Sequence, residues 1–190
     1  MLFRSAPLLA GLALVAAIDR VGAGTAAGVG VATALKWPND LLLGPERRKG
    51  AGILVEADGA GADGALVVGV GLNVTTTREA LPEGATSLAA EGGPTDRTTL
   101  LLALLDEVAA LDDRWRAARG DVASAGLLED YRARCATLGT PVRVALPGDR
   151  VLSGRAVDVD PSGHLLVRDG SGDTTAVSAG DVVHVRPVGG

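Results

Sequence analysis

Residues 35–43, Leu35-Lys36-Trp37-Pro38-Asn39-Asp40-Leu41-Leu42-Leu43, constrain this chain more than any other stretch. A strand-like alternation of Val31, Thr33 and Leu35 leads in, and an apolar run leads out. Between them a cation, an indole, a proline, an amide and a carboxylate occupy consecutive positions. Proline donates nothing to a sheet ladder and pushes the residue before it towards extended geometry, so Pro38 marks a bulge or a sharp bend. A bend of that kind lifts its neighbours out of the ladder, which suits a binding site. Taken alone, the stretch reads more simply as an amphipathic strand end with a solvated Lys and Asp.

A chain of 190 residues buries a sizeable core and fits one domain, or one domain with a small appendage. It is 47% hydrophobic but only 2% aromatic, so that core is Ala, Val and Leu, and the fold is mixed α/β or α+β. The net charge of −5 argues against non-specific nucleic-acid binding, which calls for a basic face. The single cysteine, Cys135, excludes an intramolecular disulfide and a Cys-ligated zinc site, and it suits a reducing, cytoplasmic compartment. His164 and His184 sit in valine-rich strand patterns without metal-ligand spacing and read as structural.

Residues 6–18 form an almost unbroken apolar run behind Arg4. A signal peptide has that outline, yet the run falls short of the roughly 20 residues that span a bilayer. Pro7 near its start and Asp19-Arg20 with Gly22 at its end predict a buried helix instead, and no membrane association. A glycine- and alanine-rich connection covers Gly22 to Gly30. Next comes a hairpin with its tip at Pro45, followed by the basic triplet Arg47-Arg48-Lys49 and a return strand over 52–57. After a turn from Asp58 to Gly64, residues 65–74 are apolar on both faces and predict a central strand. Gly69-x-Gly71 does not complete a dinucleotide fingerprint, and no phosphate loop occurs.

Residues 75–97 read as a polar loop. A long helix follows, with Leu101, Leu104, Leu105, Val108, Leu111 and Trp115 as its apolar stripe and Asp96 or Thr98 as its cap. A second helix over Leu127–Leu138 buries Leu127, Leu128, Tyr131 and Cys135, and stops at Gly139 before Pro141. From Val142 the period changes to two, with turns at Pro147-Gly148-Asp149, Pro161-Ser162-Gly163 and Gly170-Ser171-Gly172-Asp173 and strands continuing through Val185. That even spacing predicts a small antiparallel barrel of roughly fifty residues. The expected division is 1–138 and 139–190.

Three stretches carry a resemblance: Lys36-Trp37-Pro38-Asn39-Asp40, then Lys49-Gly50-Ala51-Gly52-Ile53-Leu54-Val55-Glu56, then Val67-Val68-Gly69-Val70-Gly71-Leu72-Asn73-Val74. In this order and at these spacings the chain resembles the core of the biotin–protein ligase catalytic domain. Ala85-Thr86-Ser87-Leu88, the apolar helix before KWPND and a terminal barrel of the Src-homology-three kind fit the same family. The resemblance implies an α+β fold, a mixed sheet flanked by helices and followed by the barrel. It implies ATP-dependent activation of biotin as biotinyl-5'-adenylate and transfer to a lysine of a biotin carboxyl carrier domain, with Mg²⁺ assisting. Lys36 would stand between biotin's carboxylate and the α-phosphate of ATP, where a compact cation lowers the barrier between two anions.

By the same resemblance Asp40 would hold Mg²⁺ or a substrate amine, Asn73 would lie near the triphosphate, and Lys49 would face phosphate. Asn39 belongs to the binding set, or closes the turn after Pro38. Gly50 and Gly52 have a reason of their own: a strand opening Gly-Ala-Gly leaves backbone open to a flat ligand, or else marks a bulge. Arg47 and Arg48 read as a solvated hairpin tip, or as a contact for an acidic carrier domain. Glu56 is either ligand-facing or at a strand edge.

The family's glycine–arginine loop, GRGRxGR followed by Trp, lies upstream of KWPND, and no such string occurs here. The resemblance therefore covers nearly all of this chain but only the second part of the family's catalytic domain, and Met1-Leu2-Phe3-Arg4 matches the end of the strand before the first helix. The expectation is a start placed too late, or a fragment, with a bare sheet edge. Two further readings stand beside the ligase. One is a non-catalytic remnant acting as a binding module. The other is a ligase for an acyl cofactor such as lipoate, against which KWPND and the terminal barrel weigh.

Overall fold

The computed structural model describes residues 5–24, 30–58, 65–146, 150–178 and 181–184. The strand end expected at residues 1–4, most of the glycine-rich connection, the turn at 59–64, the Pro147-Gly148-Asp149 turn, Val185 and the side chain of His184 lie outside them. The elements run α1 (Ala6–Ala23), β1 (Thr33–Lys36), β2 (Asp40–Leu43), β3 (Arg48–Asp58), β4 (Ala65–Leu72), α2 (Arg97–Ala117), α3 (Leu127–Arg134), β5 (Pro141–Leu146), β6 (Arg150–Val159), β7 (Leu165–Arg168), β8 (Thr174–Val177) and β9 (Asp181–His184). They build two sheets, ordered β1-β2-β3-β4 and β8-β7-β6-β5-β9. The fold is α+β. Among the described residues all ladders in both sheets are antiparallel, and parallel pairing is confined to the isolated bridges Leu35–Cys135 and Lys49–Ala85.

The apolar run at the start is a helix of 18 residues, long and apolar enough by itself to cross a membrane, yet 61% of it is buried inside the protein. Apolar residues surround its axis because it packs on several sides. One side lies on the first sheet, where Gly11 lets the helix approach Leu35 and Ile53 closely. Another meets α2, and Arg20 pairs there with Asp106 at 3.0 Å and Glu107 at 3.4 Å.

Asp96 caps α2, its carboxylate accepting from the Thr99 amide at 2.6 Å. The buried stripe of α2 differs from the expected one. Leu100 and Ala103 are buried, with Leu104, Leu111 and Trp115 packed partly against the core, whereas Leu101, Leu105 and Val108 are exposed. Leucines at 100, 101, 102, 104 and 105 lie on every side of the helix, so periodicity is ambiguous by one position and contact with α1 decides. The second helix ends at Arg134, not Leu138. Cys135 turns extended to bridge to Leu35, and the Ala136 amide donates to the Leu35 carbonyl at 2.7 Å.

Strand β4 is not central among the described residues. It pairs with β3 alone and forms the sheet edge, with Val67 and Val68 exposed. Apolar residues on both faces report what a strand could pack against on either side, not how many neighbours this chain provides.

One buried cluster joins both sheets, from Leu12 and Ile18 of α1 through Leu35, Trp37 and Leu41 to Val142, Val159 and Leu165. Gly139, at φ 77°, turns the chain into β5, but the core is continuous across that point. The β6–β7 turn is organised by Asp160, whose Oδ1 accepts from the amides of Ser162 at 2.8 Å and His164 at 2.9 Å. Its Oδ2 lies 2.9 Å from His164 Nδ1. Burial disfavours the Asp160 charge, but the His164 amide and ring together with the Ser162 amide outweigh it and hold the carboxyl below its ordinary 3.8. A carboxyl depressed in the folded state stabilises above its unfolded value, and that stability is lost as pH falls through the folded one. Asp160→Asn is therefore expected to melt earlier than wild type at neutral pH, the gap closing on acidification. A gap constant down to acid unfolding, followed by circular dichroism, would place the stabilisation elsewhere.

Candidate active site

The turn Trp37-Pro38-Asn39, whose Trp37–Pro38 peptide is cis, joins β1 to β2 and sets Lys36 directly opposite Asp40. The same register continues across the sheet, with Asp40 opposite Gly52 and Gly52 opposite Gly71. Facing residues in a ladder point to the same side, so Lys36, Asp40, Gly52 and Gly71 form one row on one face. The neighbouring row is Leu35, Leu41, Ala51 and Leu72, apolar throughout, on the face that α1 covers. Alternation thus separates a charged and glycine-lined face from the core.

Lys49 reaches the charged face through a bulge. Between Leu41 and Leu42 the β2–β3 register shifts, leaving Gly50 as the extra residue and pairing Lys49 with Leu42. One inserted residue turns the following side chains over, bringing Lys49 to the side of Asp40. Gly50 is required there for space, because a Cβ would overlap Cδ1 and Cγ of the buried Leu43. The backbone of Lys49 is fixed as well: its amide donates to the Gly84 carbonyl at 3.0 Å, and the Thr86 amide donates to its carbonyl at 2.9 Å.

Asp40 sits between the two amines. Lys49 Nζ lies 2.6 Å from its Oδ1 and Lys36 Nζ 4.0 Å from its Oδ2. The Asp40 side chain is 15% exposed and that of Lys36 27%, so both side chains are only partly open to solvent. Two cations against one carboxylate leave one positive charge unmatched, in a chain whose net charge is −5. These are also the chain's two lysines, its other 16 basic residues being arginine. A compact ammonium suits a crowded point contact where a planar guanidinium does not fit.

Beside the amines the floor is glycine. Gly52, Gly69 and Gly71, with Asn39, Ile53, Leu54 and Val70, line an open groove of about 480 Å³. A Cβ at Gly52 would reach the Lys49 amine at 3.6 Å and Asp40 Oδ1 at 3.9 Å, so its absence keeps the space beside the charges free. Leu54 and Val67 stand exposed along the same strands. At Gly52 the groove borders Lys49 and Asp40, and farther along its strands the exposed side chains are apolar.

Asn39 ties the turn down, its Nδ2 donating to the Ile53 carbonyl at 2.8 Å while its own carbonyl accepts from the Ile53 amide at 2.9 Å. Asn73, one residue past β4, donates Nδ2 to the Thr86 carbonyl at 3.0 Å, and its amide bonds the Gly50 carbonyl at 2.9 Å. Lys36, Asp40, Lys49 and Gly52 therefore meet directly, and Asn73 joins the same corner through Gly50 and Thr86. Among the described residues no three His, Cys, Asp or Glu side chains converge on a metal position. Asp40 offers a carboxylate oxygen beside the groove, which fits a Mg²⁺ carried in on phosphates and not a site enclosed by protein. Sequence reasoning missed Trp37, Thr137 and Gly163 around this hairpin. Only the indole in KWPND hinted at them.

The family model for the biotin protein ligase C terminal domain matches residues 137–185. A biotin--[acetyl-CoA-carboxylase] ligase of Mycobacterium tuberculosis is 45% identical over 155 residues, 81% of this chain and 54% of that protein. The chain thus spans about half the length of that relative. A biotin--[acetyl-CoA-carboxylase] ligase of Paracoccus denitrificans is 35% identical over 165 residues, 85% of this chain and 68% of the relative. The structure is similar to that of the Aquifex aeolicus biotin protein ligase in complex with biotin and ATP, at a TM-score of 0.66 and 24% identity over 96% of this chain and 72% of that one. That likeness speaks to the fold. Sequence identity extending over more than two thirds of the Paracoccus protein speaks to kinship, and this chain belongs to the biotin protein ligase family.

Proposed function

We propose that this chain serves the ATP-dependent attachment of biotin to protein, in the cytoplasm. The reading is carried by one observation: two amines gathered on Asp40 at the end of a glycine-floored groove. The Aquifex relative holds biotin and ATP, the two substrates such a groove would take. Biotin's carboxylate oxygen attacks the α-phosphorus, the bond to the β-phosphate oxygen breaks, and pyrophosphate leaves. Lys36 stands where the two anions meet and neutralises charge gathering on the phosphoryl oxygens. Lys49 faces the phosphates from the bulge. Asp40 sets the spacing of both amines and would hold Mg²⁺, which supplies further charge neutralisation on the phosphates when bound. In the second step a lysine amine of a carboxyl carrier domain attacks the acyl carbonyl of the adenylate, AMP departs and the amine loses a proton. Asn39 and Asn73 shape the groove by fixing its turn and its end.

Among the described residues β4 is an edge strand, and that edge favours a second reading, a binding module without turnover. One measurement separates the two. Biotin- and ATP-dependent pyrophosphate release, and label transfer to a carrier domain, are measured for the 190-residue chain and for a form extended by any in-frame codons found upstream of Met1. Turnover in either form supports the ligase. Carrier binding without turnover in both supports the module.

A further inference from the structure

Both neighbours of Lys36 are held by the C-terminal part of the chain. On one side the Leu35 carbonyl accepts from the Ala136 amide at 2.7 Å. On the other, the Trp37 amide donates to Thr137 Oγ1 at 3.0 Å, and the Trp37 indole donates from Nε1 to the Gly163 carbonyl at 2.9 Å. Trp37 is 1% exposed and Thr137 is fully buried, so none of these bonds competes with water. A buried indole N–H takes a fixed partner because leaving it unpaired forfeits its hydration without return.

The partners are themselves rigid. Residues 136–140 turn from α3 into β5 and are pinned against β6, with the Gly139 amide bonded to the Ala156 carbonyl at 2.8 Å and the Ala156 amide to the Thr140 carbonyl at 3.0 Å. Gly163 sits in the turn that Asp160 organises, its amide donating to the Asp160 carbonyl at 2.9 Å. By contrast Lys49 takes its backbone partners from the loop carrying Gly84 and Thr86. The two amines of the site are therefore referenced to different parts of the fold.

We propose that the C-terminal sheet sets the position of the Lys36 amine, with Trp37 and Thr137 as positioning residues that transmit it. The second sheet then contributes to the reaction without touching substrate. Its effect on turnover rests on the reading of Lys36 given above; its effect on the amine does not.

Because the chain has two lysines, each amine can be followed separately. Trace acetylation with acetic anhydride, read by mass spectrometry of the two lysine peptides, gives the reactivity of Lys36 relative to Lys49. Trp37→Phe keeps most of the ring and removes the donor; Thr137→Val keeps the shape and removes the acceptor. Each variant is expected to change the Lys36:Lys49 ratio at least threefold while folding to the wild-type circular dichroism spectrum. A structural role alone would lower the melting temperature and leave the ratio unmoved. An unchanged ratio in the folded variants overturns the proposal, whatever turnover does. In a form that adenylates biotin, kcat is expected to fall about tenfold with little change in the KM for biotin. If neither the 190-residue chain nor the upstream-extended form shows biotin-dependent turnover, the ligase reading fails and the ratio still decides the positioning.

Discussion

Lys36→Ala is expected to lower biotin-dependent pyrophosphate release by about 10²–10³-fold, the usual loss when one preorganised charge donor is taken from an acyl- or phosphoryl-transfer site. The fold should survive. The Lys36 side chain is partly exposed and its nearest carboxylate oxygen is 4.0 Å away, a pairing that contributes about 0–1 kcal/mol. The loss should fall mainly on kcat, because the amine acts where charge develops as carboxylate and phosphate meet. Lys36→Arg keeps the charge but replaces a compact ammonium with a broad planar group, so it should recover only a small part of the activity. Lys49→Ala should act chiefly on the KM for ATP, since that amine faces phosphate and is already matched by Asp40 at 2.6 Å. Near-wild-type pyrophosphate release from a folded Lys36→Ala protein would show that the amine has another task.

What the sequence disclosed and what it concealed divide along physical lines. The KWPND hairpin was legible because proline, alternation and three ordered strings all point to the same bend. The first helix was legible from its length and its terminal residues. The antiparallel strands after Gly139 were legible because turns recur at even spacing. The face of α2 was not, since leucines at 100, 101, 102, 104 and 105 offer several stripes and only the neighbour α1 chooses among them. Nor was the place of β4, because a both-faced apolar strand looks the same whether or not a second strand lies beside it.

At the site, residue identities came through better than their relations. Lys36, Asp40 and Lys49 stand out by chemistry, but that one carboxylate holds both amines depends on a register shift that Gly-Ala-Gly only hints at. Asn39 was expected either at the ligand or closing the turn after Pro38, and its side chain ties the turn to the Ile53 carbonyl; Asn73 was expected near the triphosphate, and its side-chain amide donates to the Thr86 carbonyl. Trp37 was least legible. Its partner Gly163 lies 126 residues away, and nothing local in a turn of the second sheet announces that its carbonyl will receive an indole.

That register shift makes a sharp test, because the two glycines of Lys49-Gly50-Ala51-Gly52 should fail in different ways. At Gly50 a methyl group overlaps Leu43, which is fully buried between the sheet and its covering layer and has no room to retreat. Overpacking of that kind costs about 1–3 kcal/mol, or roughly 2–10 °C in melting temperature for a protein of this size. The chain can relieve the clash by giving up the bulge, but losing the extra residue turns Lys49 to the other face and away from Asp40. Gly50→Ala is thus expected to lower both stability and ATP-dependent turnover. At Gly52 the added methyl meets its nearest atoms at 3.6 Å, ordinary contact, so Gly52→Ala should melt like wild type. It nevertheless fills the groove beside the two amines, and substrate affinity should fall at unchanged stability. Calorimetry and pyrophosphate release on the pair decide the matter. If Gly50→Ala matches wild type in both, the bulge does not depend on a missing side chain, and the gathering of Lys49 onto Asp40 needs a different cause.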